Sequence, residues 1–160
     1  MAKKRKSWQE KLADSKGLSK VEQITPKMAG RWKTKVGDTV VIPAPIEVDE
    51  IMKKVPKGKL ITINDIRAAL AQKHSATIGC PIATGIFARI AAEAAAETLA
   101  EGKKGLTPYW RILKAGGVIN EKYPGGVEAQ KKLLEKEGHK VIQKGKKYVV
   151  TDFEKYLAKL

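Results

Sequence analysis

Apolar residues recur at helical spacing through the middle of this chain and alternate only near its end. Ile46, Val48, Ile51, Met52 and Val55 form a stripe that opens at Pro45, a residue suited to a first helical turn, and closes at Pro56. Lys57-Gly58 predicts a turn and Leu60-Ile61 a short extended link. Thr62 with Asp65 three residues on predicts a helix start, with Ile63, Ile66, Ala69 and Leu70 on the buried face. From Pro81 to about Ala100 runs a long helical segment rich in small residues: Ala83, Gly85, Ala88, Ala91, Ala92, Ala94, Ala95, Ala96 and Ala100. Gly102 and Gly105 bracket a loop, Tyr109 to Leu113 reads as a strand, and Ala115-Gly116-Gly117 turns the chain. Gly126 to Glu137 is a helix stopped by Gly138. Lys140 to Gln143 and Tyr148 to Val150, joined across Lys144-Gly145-Lys146, read as a β-hairpin, and Thr151 is the expected cap of a last helix carrying Phe153, Tyr156, Leu157 and Leu160.

The front of the chain is poorer in apolar residues. Ser7 is a cap candidate with Glu10 in the capping-box position and Gly17 as a stop, but Trp8, Leu12 and Leu18 are too few for an independent core. Residues 1–42 therefore read as a basic N-terminal extension that packs partly on the domain or folds on its ligand. Trp32, between Arg31 and Lys33, is either an anchor on the domain or a stacking residue. Pro43-Ala44-Pro45 marks the boundary to a domain over 43–138, and residues 139–160 form a hairpin-helix addition packed on it.

Charge sharpens this picture. The chain holds 32 Lys and Arg against 17 Asp and Glu, a net +15, and residues 1–35 alone carry eleven basic and three acidic side chains. Such an excess suits a polyanion, most often nucleic acid, through phosphate neutralisation and counterion release; the alternative is generic solubility charge. Cys80 is the sole cysteine, which excludes an internal disulfide and a cysteine-built zinc cage, and no metal or cofactor is expected. No stretch approaches the ~20 apolar residues that span a bilayer, and none follows Lys3-Lys4-Arg5-Lys6 as a secretory signal requires. The expectation is a soluble cytoplasmic protein with no membrane partner, nucleoid-associated if it binds DNA.

Pro108-Tyr109-Trp110-Arg111-Ile112, then Gly116-Gly117-Val118, Tyr123-Pro124-Gly125-Gly126, Leu133-Leu134 and Glu137-Gly138 together resemble the active-site half of the methylated-DNA–protein-cysteine methyltransferases. Those proteins move an alkyl group from O6-alkylguanine to the cysteine of a Pro-Cys-His-Arg sequence. Val55-Pro56-Lys57-Gly58-Lys59-Leu60-Ile61-Thr62 resembles the start of their helix-turn-helix, and Ala88-Arg89-Ile90-Ala91-Ala92-Glu93-Ala94 is the closest match to their recognition helix. The resemblance spans residues 43–138 and points to the alkyltransferase-like branch, which lacks the acceptor cysteine and binds lesions without repairing them. It implies an α+β, mostly helical fold with a winged helix-turn-helix and a C-terminal β-hairpin and helix. It also implies double-stranded DNA, in particular alkylated DNA, as partner, with repair-pathway proteins beyond it. Thr62, Ile63, Thr84, Arg89 and Arg111 fall where it implies DNA contact. Ile63 replaces the tyrosine that touches a phosphate, and Arg89 is the candidate to fill the stack vacated by an extruded base, with Thr84 nearer the DNA if Arg89 lies too far along the helix.

Chemistry at the matched positions can be argued from the residues. Dealkylation needs a thiolate, a base to take its proton and a carboxylate to hold the base. Tyr109 offers a phenol, a poor nucleophile at neutral pH, and Trp110 an indole N–H that donates and cannot act as a base. Glu137 could accept that N–H, so Tyr109, Trp110 and Glu137 would form a base pocket; the alternative is that the aromatics only fill a core. The small residues of the long helix suit entry into a narrow minor groove, or else close helix packing. Cys80, ahead of a helix in Gly79-Cys80-Pro81, is the one site for relocated methyl transfer, and a structural role is the alternative. His74 and His139 read as surface or capping residues. An RNA- or ribosome-binding protein reusing the fold is the remaining competitor.

Overall fold

A computed structural model describes residues 7–15, 17–32, 34–103 and 106–160; Lys3 to Lys6, Lys33 and Gly105 lie outside them. Helix α1 (Trp8–Ala13) is capped by Ser7, whose hydroxyl accepts the Glu10 N–H, and it ends at Asp14, short of Gly17. Strand β1 (Lys20–Gln23), helix α2 (Pro26–Trp32) and strand β2 (Thr39–Ile42) follow. β2 is the middle strand of a sheet, antiparallel to β1 and parallel to β4 (Ile78–Gly79). Val40 and Val41 are fully buried there, so the basic front segment packs on the rest of the chain through a sheet that sequence periodicity does not reveal. Trp32 packs with Ile24, Val40 and Cys80, the anchor alternative.

Helix α3 (Pro45–Lys53) buries Val48 and Met52 but leaves Ile46 exposed. Strand β3 (Ile61–Thr62) leads into α4 (Ile63–Lys73), where Thr62 and Asp65 form the expected reciprocal cap. Residues 74–80 carry the chain through β4 to α5 (Pro81–Ala100). α4 and β4 approach so closely that a side chain at Gly79 would meet the Arg67 backbone at 2.7 Å; Arg67 Nε donates to the Gly79 carbonyl at 2.8 Å. α5 is the axis of the main core, which joins Phe87, Ala88, Ile90, Ala91 and Ala92 to Val48, Met52, Ile61, Ile66, Leu70 and Ile112.

Two expected elements differ. Residues 109–113 are a 3-10 turn (Tyr109–Arg111) followed by a two-residue strand β5 (Ile112–Leu113) parallel to β3. A longer strand has no ladder to join, because β3 is itself two residues long. The Trp110 carbonyl instead accepts the Gln130 side-chain amide at 3.2 Å. The last helix is only a 3-10 turn (Phe153–Tyr156) entered through Asp152 in the left-handed region, φ 53°. Thr151 does not cap it; its hydroxyl donates to Lys140 O. The backbone beyond runs alongside Leu60, with Leu60 N–H donating to Tyr156 O and Ala158 N–H to Leu60 O, and those bonds displace helical ones. α6 (Gly126–Lys136) and the hairpin β6 (Val141–Lys144) and β7 (Lys147–Val150) form as expected, and with Leu60, Leu113 and Ile119 they build a second core. The architecture is α+β, with helices dominant and three small sheets among the described residues. No described helix is long and apolar enough to cross a membrane.

Candidate nucleic-acid interface

Glu137, at the C-terminal end of α6, gathers the conspicuous residues of the 108–138 region. It accepts the Trp110 indole N–H at 2.7 Å, the bond expected from the residue types. Arg111 brings a second and stronger partner, its Nε at 2.9 Å from Oε1 and its Nη2 at 2.8 Å from Oε2. The same carboxylate takes the Gly58 backbone N–H at 3.1 Å, and Arg111 Nη1 donates to Val55 O at 2.7 Å. Gly58 holds φ at 83°, a conformation side chains disfavour, and this is what aims its N–H inward. Burial by itself would raise the Glu137 carboxyl, but the Arg111, Gly58 and Trp110 donors outweigh it and hold it below the usual range. Arg111, expected at DNA, is thus committed inside: its side chain is 13% exposed and that of Glu137 6%. Trp110 is held from both sides, by Glu137 and by the guanidinium 5.3 Å from its ring, and it packs against the second core.

Tyr109 is the half-buried member. Its ring meets Trp110 edge-on at 5.4 Å and the buried Tyr123 edge-on at 5.8 Å. Burial, then the charge of Glu93, pushes its phenol above the ordinary value, so it stays neutral and un-nucleophilic at physiological pH. Thr62 spends its hydroxyl on the Asp65 cap, and Ile63 leans on the main core. Thr84 is fully buried and donates to Cys80 O at 2.7 Å, so it faces away from any ligand outside. Cys80 is buried with Ile24 and Val40, its sulfur 3.5 Å from the Ala83 N–H it caps. His74 lies 2.7 Å from Glu47, and His139 is buried edge-on to Tyr156, against the surface role expected for it; neither is engaged with the thiol.

No protein-family model and no curated protein matches the chain by sequence. Two solved structures match it in shape. One is the S. pombe protein Atl1 in complex with damaged DNA containing O6-carboxymethylguanine, at 20% identity and TM-score 0.51. The other is an S. pombe ATL in complex with DNA, at 19% identity and TM-score 0.50. Each alignment covers 72% of this chain and 94% of the other. The chain has the alkyltransferase-like fold.

Within this alkyltransferase-like fold, the alanines of α5 answer to packing. Ala88, Ala91, Ala92, Ala94 and Ala95 are all buried, and α1 covers the far half of the helix, with Gln9 bonded to Glu97 and Glu101. The first turns of α5 are open, where Ile82 is 55% and Ile86 54% exposed, as is the last turn at Leu99. Arg89 stands next on the same stripe, its guanidinium 5.7 Å from the Trp8 ring of α1. These residues, with Lys11 of α1 and Asn120 and Lys122 of the loop before α6, line a groove of about 500 Å³. The exposed isoleucines carry no motif and are invisible to a search for polar chemistry; their place in one groove with Lys11, Arg89 and Lys122 singles them out.

Proposed function

We propose that this protein binds duplex DNA and recognises an extruded, O6-alkylated guanine while leaving the alkyl group in place. The observation that carries the reading is the cluster around Glu137 with the Tyr109 phenol beside it. Trp110, Arg111 and the Val55-to-Gly58 turn converge on one carboxylate, and by the sequence resemblance Tyr109 takes the acceptor position. Transfer needs a nucleophile and a base, and the frame presents neither: Tyr109 is held neutral, and Trp110 has no lone pair to accept a proton. What remains is a rigid aromatic surface for a base to stack on. The S. pombe proteins of the same fold, bound to damaged DNA in one case and DNA in the other, support the partner.

Binding by fluorescence anisotropy, with duplexes that differ by a single O6-methylguanine, tests the reading at matched salt. Tighter binding to the lesion is expected, falling by about one to two decades in Tyr109→Ala, the size of a lost base–aromatic stack, while plain-duplex affinity barely moves. The intact mass should not change. Equal affinity for the two duplexes, or stoichiometric gain of a methyl group, would sink the proposal, as would structured RNA displacing the duplex at equal concentration.

A further inference from the structure

We infer that α5 meets DNA with an apolar wedge, Ile82 and Ile86 inserting from the minor groove between unstacked base pairs, and that Arg89 is a flanking phosphate contact. The inference rests on the duplex-binding half of the reading above and is independent of lesion recognition. Two large aliphatic side chains one helical turn apart, each more than half exposed, stand at the open end of the helix. Gly85 between them adds no bulk, and the described groove lining contains Lys11, Arg89 and Lys122 but no carboxylate. An exposed apolar pair marks a contact surface, and its cationic rim selects a polyanion over an apolar protein face. An aliphatic side chain has nothing to offer a phosphate. Its partner on DNA is the face of a base, reached by partly unstacking a step and bending the duplex away. Arg89 is turned from this role by position: it lies farther along α5 than both isoleucines and against Trp8.

An undamaged duplex with 2-aminopurine at a central TA step reports unstacking by a rise in fluorescence, and a donor–acceptor pair on its ends reports the bend. Wild type should raise the first and shorten the second. Ile82→Ser/Ile86→Ser, both at exposed positions that the fold tolerates, should abolish both signals and weaken binding about tenfold, with the slope of log K against log salt unchanged. Lys11→Ala/Lys122→Ala should do the opposite: keep both signals and lower the salt slope by nearly 2. Arg89→Ala should keep the fluorescence rise. Binding without unstacking, or unstacking lost in Arg89→Ala and retained in the isoleucine variant, overturns the wedge while leaving lesion preference to stand or fall on its own assay. Failure to bind any duplex overturns both.

Discussion

At the scale of single residues, Glu137 has an unusual load. It anchors an indole, a guanidinium and a backbone amide from two distant parts of the chain, and it is almost wholly buried. Breaking a buried ion pair from one side leaves an uncompensated charge, at a cost of about 3–5 kcal/mol, whereas replacing both partners by apolar groups is often neutral. Arg111→Met should therefore lower the urea midpoint severely, and Arg111→Met/Glu137→Leu should recover only part of the loss, because the Trp110 and Gly58 N–H groups and the Val55 carbonyl lose their partners. Glu137→Gln should be more harmful than the indole bond alone suggests, because an amide cannot neutralise Arg111. A double-mutant cycle by urea denaturation measures all of this. A double variant whose loss equals the sum of the two single losses would show that the pair is not coupled. The Trp110–Glu137 bond was legible in the sequence because a donor replaces the family's base beside an unchanged carboxylate. Arg111 was not, since an arginine in a basic protein looks like one more phosphate ligand until its neighbours are known.

Elements show a similar division between local and distant information. The caps at Thr62 and Ser7, the start of α5 at Pro81 and the end of α6 before Gly138 are written within a few residues and could be read directly. Pairings between two-residue strands could not, because such strands have no periodicity and their partners are far apart, as Ile61 of β3 and Ile112 of β5 are. The alanines of α5 were ambiguous for another reason: a helix apolar on most sides does not say which face is covered. One link between elements lends itself to a pH test. Glu47 accepts the Ala44 N–H at the start of α3 and meets Lys73 and His74 at the end of α4. Burial works to raise its pKa, but Lys73, Ala44 and His74 prevail and bring it to about 2. The folded value lies below the unfolded one, so its contribution is complete above pH 4.5 and disappears as pH falls from 4.5 to 2. Charge-assisted bonds of this kind contribute about 1.5–3 kcal/mol. Glu47→Gln should lower Tm at pH 7 by roughly 4–10 °C and flatten its decline over that acid window, as followed by circular dichroism. An unaltered acid profile would assign the window to other carboxylates.

For the molecule as a whole, charge and fold share the same N-terminal segment. Residues 7–42 contribute α1 against α5 and the middle strand β2 of a sheet, as well as basic side chains. Cutting at residue 43 should remove Val40 and Val41 from two cores and abolish cooperative melting. Removing residues 1–6 should reduce the salt slope of DNA binding by up to about 3.6, for the four cations lost. Thermal melts and a salt titration on the two truncations decide it; a stable fragment starting at 43 would contradict the first expectation.

The three tryptophans are distributed so that each sits in a different functional neighbourhood. Trp8 stands under Arg89 in the groove, Trp32 in the sheet cluster and Trp110 between a carboxylate and a guanidinium. The protein therefore carries its own optical reporters. Keeping one indole at a time and replacing the others by phenylalanine separates three signals by emission and quenching. Trp8 would follow DNA arriving at the groove, Trp32 the opening of the N-terminal sheet, and Trp110 the integrity of the cluster around Glu137. Stopped-flow traces from the three would give the order in which docking and any rearrangement of the protein occur, with no dye attached to it.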